Sequence, residues 1–333
     1  MRPVLPLLLV PAFLAAQVPR IAIIDFYGLR KTSEGKARKA LRVREGDPLP
    51  GSKAEVEERL EKLPNVVRAR LEAVCCEQGN AILFVGIEEK GALHFDYHPA
   101  PSGDAVLSEE IYHTYDRFLS AFETAVRIGD TREDLSEGHA LSANSQVRAI
   151  QEQFVDLADK HFETLRAALR NSADERTRAV AAHVIAYASN KKLAAGDLQH
   201  AMQDPNDAVR NNAMRGLVGI ATLAGRDPEL GIRIEPTWFI EMLNSLVWTD
   251  RNKASAALAE LTEGRDPKIL ERLRERALPS LVEMGRWKSL GYALPAFLLV
   301  GRLAGLPENE IESAWSRGDR EAVIGKLAGG KRR

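Results

Sequence analysis

Residues 204–213 have the sequence DPNDAVRNNA, and they decide how the second half of the chain folds. Apolar residues recur here about one helical turn apart, which predicts a helix with one apolar stripe. That stripe consists of Val209, Ala213 and Leu217. Asp204 and Asp207 can cap the start of the helix, since a carboxylate oxygen there accepts hydrogen bonds from free amides. The stretch therefore predicts a link followed by a capped helix.

A related stretch lies 32 residues earlier, at residues 172–188, with the sequence SADERTRAVAAHVIAYA. Three pairs of positions coincide: Arg178 with Arg210, Ala181 with Ala213, and Ile185 with Leu217. A third, looser copy is TDRNKASAALAEL at residues 249–261, in which Asp250 and Lys253 match Asp207 and Arg210. Self-similarity at this period is typical of stacked helical repeats. The recurring aspartates and arginines can form a ladder between adjacent repeats.

The passage 204–213 closely resembles the core of a HEAT repeat, and the resemblance extends over about residues 150–310. It implies an all-α solenoid at residues 105–320, with a loose tail at residues 321–333. We expect roughly four or five helical pairs, because one pair alone is too small to bury its own apolar face. Such a solenoid offers a curved helical surface to a partner.

Residues 21–91 predict a small α+β module with the order β-α-α-β-β. IAIIDF alternates apolar and polar residues as a strand does. Ser52 and Glu55 form a capping box at the start of the second helix. Two strands joined by the turn Gln78-Gly79-Asn80 follow. We expect a three-stranded sheet covered on one side by two helices.

This order resembles the POTRA (polypeptide-transport-associated) domain. The strand ending in Phe26-Tyr27-Gly28, the pair Gly46-Asp47 and the closing Glu88-Glu89 carry the resemblance. It implies a periplasmic module that binds partner proteins by docking or by adding a strand to its sheet edge. Nothing after residue 91 alternates like the barrel strands that usually follow such domains. Residues 92–104, rich in proline and glycine, predict a linker.

The N-terminus predicts a secretory signal peptide at residues 1–16. Arg2 precedes a short apolar stretch that ends in alanines, which is the composition of such signals. The alternative is a buried N-terminal helix, but Pro3, Pro6 and Pro11 would disturb its packing. We expect cleavage after Ala16 and a periplasmic or otherwise exported, soluble protein.

Composition excludes several classes of protein. The 333 residues are 45% apolar and 28% charged, with a net charge of −1 and two cysteines. Such a chain can build a core, and its near-zero charge argues against a nucleic-acid partner. Two cysteines are too few for a chain of this length to be a disulfide-stabilised scaffold. Cys75 and Cys76 are adjacent in a predicted strand, so we expect two unpaired thiols, with Cys75 buried and Cys76 at the surface or an interface.

Cationic side chains suggest where a partner binds. The stretch from Arg30 to Arg44 carries seven of them, and it can contact an acidic protein or anionic lipid at a membrane surface. The alternative is a solvated helix face. We expect partner contact through four arginines: Arg38 and Arg42 in this stretch, and Arg178 and Arg210, expected to be exposed, in the repeats.

A search for chemistry finds no phosphate loop, no HExxH, no GxSxG and no CxxC motif. His94, Asp96 and His98 would share one face of a strand and could form a metal trio. The alternative is a polar exit into the linker, which a nearby Pro99 favours. We predict no catalytic residues, no metal and no cofactor.

We therefore expect an exported, non-enzymatic adaptor or scaffold of the bacterial envelope, which binds envelope or outer-membrane proteins. The alternative is a lyase or hydrolase on a helical-repeat scaffold, with His183, His200 and a carboxylate meeting in a groove. The apolar stretch Leu290 to Leu306 is too short to span a bilayer, and Pro295 interrupts it. We expect it to line the core rather than bind a membrane.

Overall fold

The computed structural model describes residues 20–77, 79–93 and 95–329 of the chain. The predicted signal at residues 1–16 lies outside them. The first described part has the predicted order β-α-α-β-β. Its elements are β1 (Ile21–Tyr27), α1 (Glu34–Leu41), α2 (Lys53–Glu61), β2 (Val66–Glu77) and β3 (Asn80–Glu89).

β3 is the central strand of the three-stranded sheet. β1 pairs with it in parallel, with Ile24 opposite Leu83. β2 pairs with it antiparallel, with Leu71 opposite Val85. Helices α1 and α2 cover one face of this sheet and bury a small core against it. We call residues 21–91 the module.

Helices dominate the rest of the described chain. Its elements are α3 (Glu109–Arg127), β4 (Glu133–Asp134), β5 (Leu141–Ser142), α4 (Ser145–Lys160), α5 (Phe162–Asn171), α6 (Glu175–Ile185), α7 (Lys191–Ala201), α8 (Asp207–Arg226), α9 (Thr237–Met242), α10 (Trp248–Leu261), α11 (Pro267–Arg276), α12 (Leu278–Gly285), α13 (Leu290–Leu303), α14 (Glu308–Ser316) and α15 (Arg320–Gly329).

These helices stack as repeats. Helices adjacent in sequence pack as pairs, such as α5 with α6 and α7 with α8. Each pair then packs on the next, because α6 contacts α8, α8 contacts α10 and α10 contacts α13. A pair buries its apolar face only against its neighbours in such a stack. The prediction of a helical-repeat architecture is confirmed, and Val209, Ala213 and Leu217 are fully buried in it.

The start of α8 differs from the sequence expectation. Asn206, not Asp204 or Asp207, is its cap, and the Asn206 side chain accepts hydrogen bonds from the amides of Ala208 and Val209. Asp204 points elsewhere, because its carboxylate binds the Arg178 guanidinium. The cap of α8 is therefore the neutral Asn206 rather than either of the two aspartates.

Two predicted irregular segments are more ordered than expected. The predicted loose tail begins with α15, which extends to Gly329 and buries Val323, Ile324 and Leu327. The tail prediction is therefore wrong up to that residue, because the helix has an apolar face to bury. Residues 330–333 lie outside the described part. The predicted linker carries no helix or strand where described, but its Gly103 amide donates to the Asn171 carbonyl at 2.8 Å.

The cysteine expectation is also wrong. Cys75 is exposed and disulfide-bonded rather than buried and free. The alternation that would separate neighbouring side chains is broken here, since the pairing of β2 with β3 shifts register between Cys75 and Glu77. The side chain of Cys76 lies outside what the structure describes.

Helix α13 lines the core, as predicted, with Phe297 and Val300 fully buried. Across the described residues, no helix combines the length and apolar character needed to cross a membrane.

Candidate functional site

The module is docked on the repeats through the sheet face that α1 and α2 leave uncovered. Phe84 of β3 lies at the centre of this contact and is fully buried. Its ring centroid is 4.8 Å from Trp248, 5.0 Å from Trp287 and 5.7 Å from Tyr292. Aromatic contacts at these distances add to the free energy of apolar burial. The module and the repeats therefore share one continuous core.

Polar contacts fix the orientation of the module. The Tyr27 hydroxyl donates to the Leu246 carbonyl at 2.8 Å. The Asp25 carboxylate accepts hydrogen bonds from the amides of Lys288 and Ser289. Burial raises the pKa of this carboxyl, although both amides oppose the shift. Each contact joins β1 to the second half of the chain, so the module cannot rotate freely.

Glu283 of α12 joins the two parts a third time. Its Oε1 accepts from the Gly28 amide at 2.7 Å, and its Oε2 accepts from Arg30 at 2.6 Å. Gly28 has φ of +82°, and an added Cβ would lie 2.0 Å from the Ile87 carbonyl oxygen. Glycine is therefore required where the chain leaves β1 and meets Glu283.

A cleft of about 990 Å³ opens between the module and the starts of α6, α8, α10 and α12. We call it the module–repeat cleft. Its lining is mainly basic. The cations are Arg30, Lys31, Arg68, Arg70, Lys90, Arg178, Arg210, Arg251 and Arg276. The anions are Glu88, Glu89, Glu175, Asp207 and Glu275. Phe95 and Tyr97 of the predicted linker complete one wall.

Arg178 and Arg210 are buried, not exposed as the sequence suggested, with 2% and 1% of their surface accessible. Each is held twice. Arg178 donates to the carbonyls of Ser172 and Ala173 and to the Asp204 carboxylate. Their role is therefore mainly structural, although both still touch the cleft. The expectation that they are exposed is therefore wrong.

Arg210 repeats the same geometry one unit later. It donates to the carbonyls of Asp204 and Pro205 and forms a paired interaction with Asp250, at 3.0 Å and 2.9 Å. Burial raises the pKa of the Asp250 carboxyl, while Arg210 opposes this shift. The predicted arginine–aspartate ladder between repeats is confirmed by these two steps.

Arg251 is the third member of this series, and sequence reasoning missed it. The alignment of the repeat sequences matched Lys253 to Arg210, but in the structure Arg251 occupies the equivalent position. Its Nε donates at 2.5 Å to the carbonyl of Ser245, six residues earlier. Each ladder arginine lies four residues after its helix cap, which is Asp174, Asn206 or Val247. Spacing from the cap was thus the usable signal.

The environment of Arg251 differs from that of the other two arginines. Its guanidinium lies over the Tyr27 ring, 4.7 Å from the centroid, and only 3% of the residue is exposed. Its Nη1 makes no hydrogen bond within the described part of the protein, and the nearest carboxylate oxygen, on Glu283, is 3.6 Å away. Burial lowers the pKa of this guanidinium. The cleft floor therefore holds a cation with an unused donor.

The arginines predicted on α1 lie outside the cleft lining. Arg38 packs over Phe26, 5.1 Å from the ring centroid, and donates to Glu34 at 2.7 Å. Arg42 is exposed and ends α1 in a left-handed conformation with φ of 60°. Lys36 and Lys39 are exposed too and make no ion pair with any described residue. This face of α1 is exposed in the structure.

The histidines of the enzyme hypothesis do not share a groove. His183 is surrounded by the rings of Tyr115, Phe118, Phe154 and Tyr187, at centroid distances of 4.6–5.7 Å. Burial lowers its pKa to about 3. His200 instead stacks on His98 at 4.4 Å. His183 and His200 therefore do not form the shared site that the enzyme hypothesis requires.

Of the three residues considered as a possible metal trio, His94 lies outside the described residues, and the His98 ring stacks on His200. Within the described ranges, no group of three His, Cys, Asp or Glu side chains could hold a metal ion.

Comparison with known proteins finds no matching family model and no matching curated protein. Among solved structures, computationally designed armadillo repeat proteins for modular peptide recognition align with 18% identity and a TM-score of 0.36. The match covers 55% of this chain and 86% of that one. A designed armadillo repeat protein in complex with the peptide (KR)4 aligns with 18% identity and a TM-score of 0.36, covering 58% and 89%. Likenesses of this strength carry no argument about function.

Proposed function

We propose that this chain is an exported, non-enzymatic interaction protein, an adaptor or scaffold of the bacterial envelope. Its POTRA-like module and HEAT-like repeats would together bind a protein partner. The observation that carries this proposal is the module–repeat cleft, which is lined by residues of the module and of the repeats. The contacts of Phe84 and Glu283 fix the position of the module on the repeats. A surface built across two fixed parts is suited to recognition because little ordering is needed on binding.

The POTRA-like assignment is supported by the element order and by the two helices on one face of the sheet. β1 and β2 are the edge strands, so strand addition to an edge is one mode of partner binding. The sheet face opposite α1 and α2 is covered by the repeats and does not contribute to partner binding. Four arginines remain proposed partner contacts. Arg38 and Arg42 would contact a partner from the exposed face of α1. Arg178 and Arg210 are buried and would contact it only where they line the cleft.

Export is proposed from the composition of residues 1–16. Mass spectrometry of the chain recovered from its native cell tests it: we expect a new N-terminus near residue 17 and recovery from the envelope fraction. An intact chain found in the cytoplasm would refute export and with it the envelope role.

Partner binding is tested by site-specific photo-crosslinking in the native cell. A benzophenone side chain replaces Leu93, which lines the cleft and is 50% exposed. The matched control is Ile128, which is 70% exposed and outside the lining. We expect one defined crosslinked protein from the Leu93 position alone. Equal products from both positions, or none from either, would contradict the proposal. Deleting the module is not a suitable test, because deletion exposes the Phe84 partners on the repeats.

A further inference from the structure

We propose that the module–repeat cleft binds an acidic peptide segment of its protein partner, with one carboxylate of the segment bound to Arg251 at the cleft floor. This inference rests on the proposed interaction function and specifies the chemistry of the partner.

The carboxylate nearest to Arg251 at the cleft floor is already bound to other donors. The exposed Arg30 and the buried Arg210 and Arg251 share two carboxylates, Glu283 and Asp250. Glu283 is shared between Arg30, the Gly28 amide and, at a longer distance, Arg251. A buried cation without a full set of acceptors is costly, and a carboxylate brought by a ligand would remove that cost.

The unused donor and the nearest helix start lie together. Arg251 Nη1 is buried and has no acceptor in the described chain. Helix α10 begins at Trp248, and its cap position, Val247, provides no side-chain acceptor for the first amides. Val247 and Arg251 both line the cleft. Arg251 therefore places a buried, unsatisfied cationic donor beside this helix start, and a carboxylate is the ligand that satisfies it.

The walls indicate a chain of carboxylates rather than one small acid. Arg68 and Lys90 come from the module, whereas Arg276 comes from the repeats on the opposite side. The Lys90 ammonium has no ion pair among the described residues. Arg68 is paired with Glu88 at 2.8 Å and Arg276 with Glu241 at 2.5 Å, so only a ligand with several negative charges can add a carboxylate to both pairs and to Lys90 at once.

A peptide fits this lining better than a nucleic acid does. Five carboxylates also line the cleft, and the oxygens of a phosphate backbone carry no protons to donate to them. The amides of a peptide can donate to those carboxylates. Leu93 and Phe95 offer apolar contact to its side chains. The net charge of −1 likewise gives no general attraction for nucleic acid.

Fluorescence anisotropy tests the inference with the full mature chain. The probe is a labelled peptide of four glutamates alternating with four alanines, and its partner probe has glutamine in place of glutamate. We expect the glutamate peptide to bind about tenfold or more tightly than the glutamine peptide, since several charge-assisted contacts distinguish them. Equal affinities, or tighter binding of a single-stranded DNA oligonucleotide, would overturn the proposal.

Two variants locate the binding. Lys90→Glu should weaken binding of the glutamate peptide about five- to tenfold. Lys39→Glu makes the same charge change on α1, outside the cleft lining, and should leave the affinity unchanged. Arg251→Lys, which removes Nη1 but keeps a charge, should weaken binding about tenfold. The exposed Lys90 variant retains the test if Arg251→Lys fails to fold.

The outcomes separate this inference from the proposed function. If Leu93 still crosslinks a partner while the glutamate peptide fails to bind, the acidic-segment inference is wrong and the interaction function remains. If Lys39→Glu weakens binding as much as Lys90→Glu does, the peptide does not bind in the cleft.

Discussion

His183 should make the stability of the repeats depend on pH. The side chain lies among four aromatic rings, and its Nε2 has no hydrogen-bond partner in the described chain. Burial, assisted by Arg215, lowers its pKa from 6.5 to about 3. As the pH falls, the unfolded chain therefore binds a proton before the folded chain does. The free energy of unfolding contributed by neutral His183 is complete above pH 6.5 and is lost as the pH falls towards 3.

The magnitude follows from the linkage between proton binding and folding. Each pH unit below 6.5 should cost about 1.4 kcal/mol, so at pH 5 the loss is about 2 kcal/mol. Urea denaturation of wild type and His183→Phe at pH 7 and pH 5 measures it. The packing cost of the substitution cancels, because each protein is compared with itself at the two pH values.

We expect wild type to lose about 2 kcal/mol more than His183→Phe over this interval. His113→Gln, at an exposed position on α3, is the control and should behave as wild type. Buried His139 contributes to the pH dependence of all three proteins equally and does not affect the comparison. An identical loss in wild type and His183→Phe would refute the assignment of a buried, neutral His183.

Three further substitutions test packing. Phe84→Ala should lower the free energy of unfolding by about 3–5 kcal/mol and shift tryptophan emission to the red; Phe26→Ala, on the opposite sheet face, should destabilise with no such shift, and equal spectra would contradict the docking. Asp250→Asn leaves a buried guanidinium unpaired and should cost about 3–5 kcal/mol in urea denaturation; a loss below about 1 kcal/mol would show that this ladder step is exposed. Gly86→Ala places a Cβ 2.6 Å from a tyrosine ring and should cost about 1–3 kcal/mol, whereas Gly35→Ala, with nothing within 4 Å, should leave the melting temperature unchanged or slightly higher.

Local patterns in the sequence were enough to predict the elements of the module and the apolar stripe of α8. Alternation in β1 and one-turn spacing in Val209, Ala213 and Leu217 are signals that neighbouring residues carry by themselves. These predictions needed no knowledge of which elements would meet in space.

The burial of Arg178 and Arg210 could not be predicted in the same way. Arginine is usually exposed, and it is buried here because a carboxylate from the next repeat faces it. For Arg178 that carboxylate is Asp204, and for Arg210 it is Asp250. The two separations in sequence differ, because a longer segment lies between α8 and α10. Only the stacking of the helices reveals the pairs.

The docking of the module did leave a signal in the sequence. Residues 81–87 are all buried, and they form an almost continuous apolar run rather than an alternating one. Such a run is typical of a strand covered on both faces. The sequence interpretation covered only one face with helices, so it left no role for Phe84 and did not predict the module–repeat cleft.

The contact between Tyr27 and Leu246 spans 219 positions of the chain, and this has a consequence for biogenesis. The module is synthesised first, but one face of its sheet has no partner until Trp248, Trp287 and Tyr292 have followed. During that interval the nascent chain presents Phe84 on an uncovered sheet face, and exposed apolar surface of this kind drives aggregation. Non-local contacts of this kind also slow folding. We therefore expect the nascent chain to need a holding chaperone, or delayed folding, until its last helices have emerged.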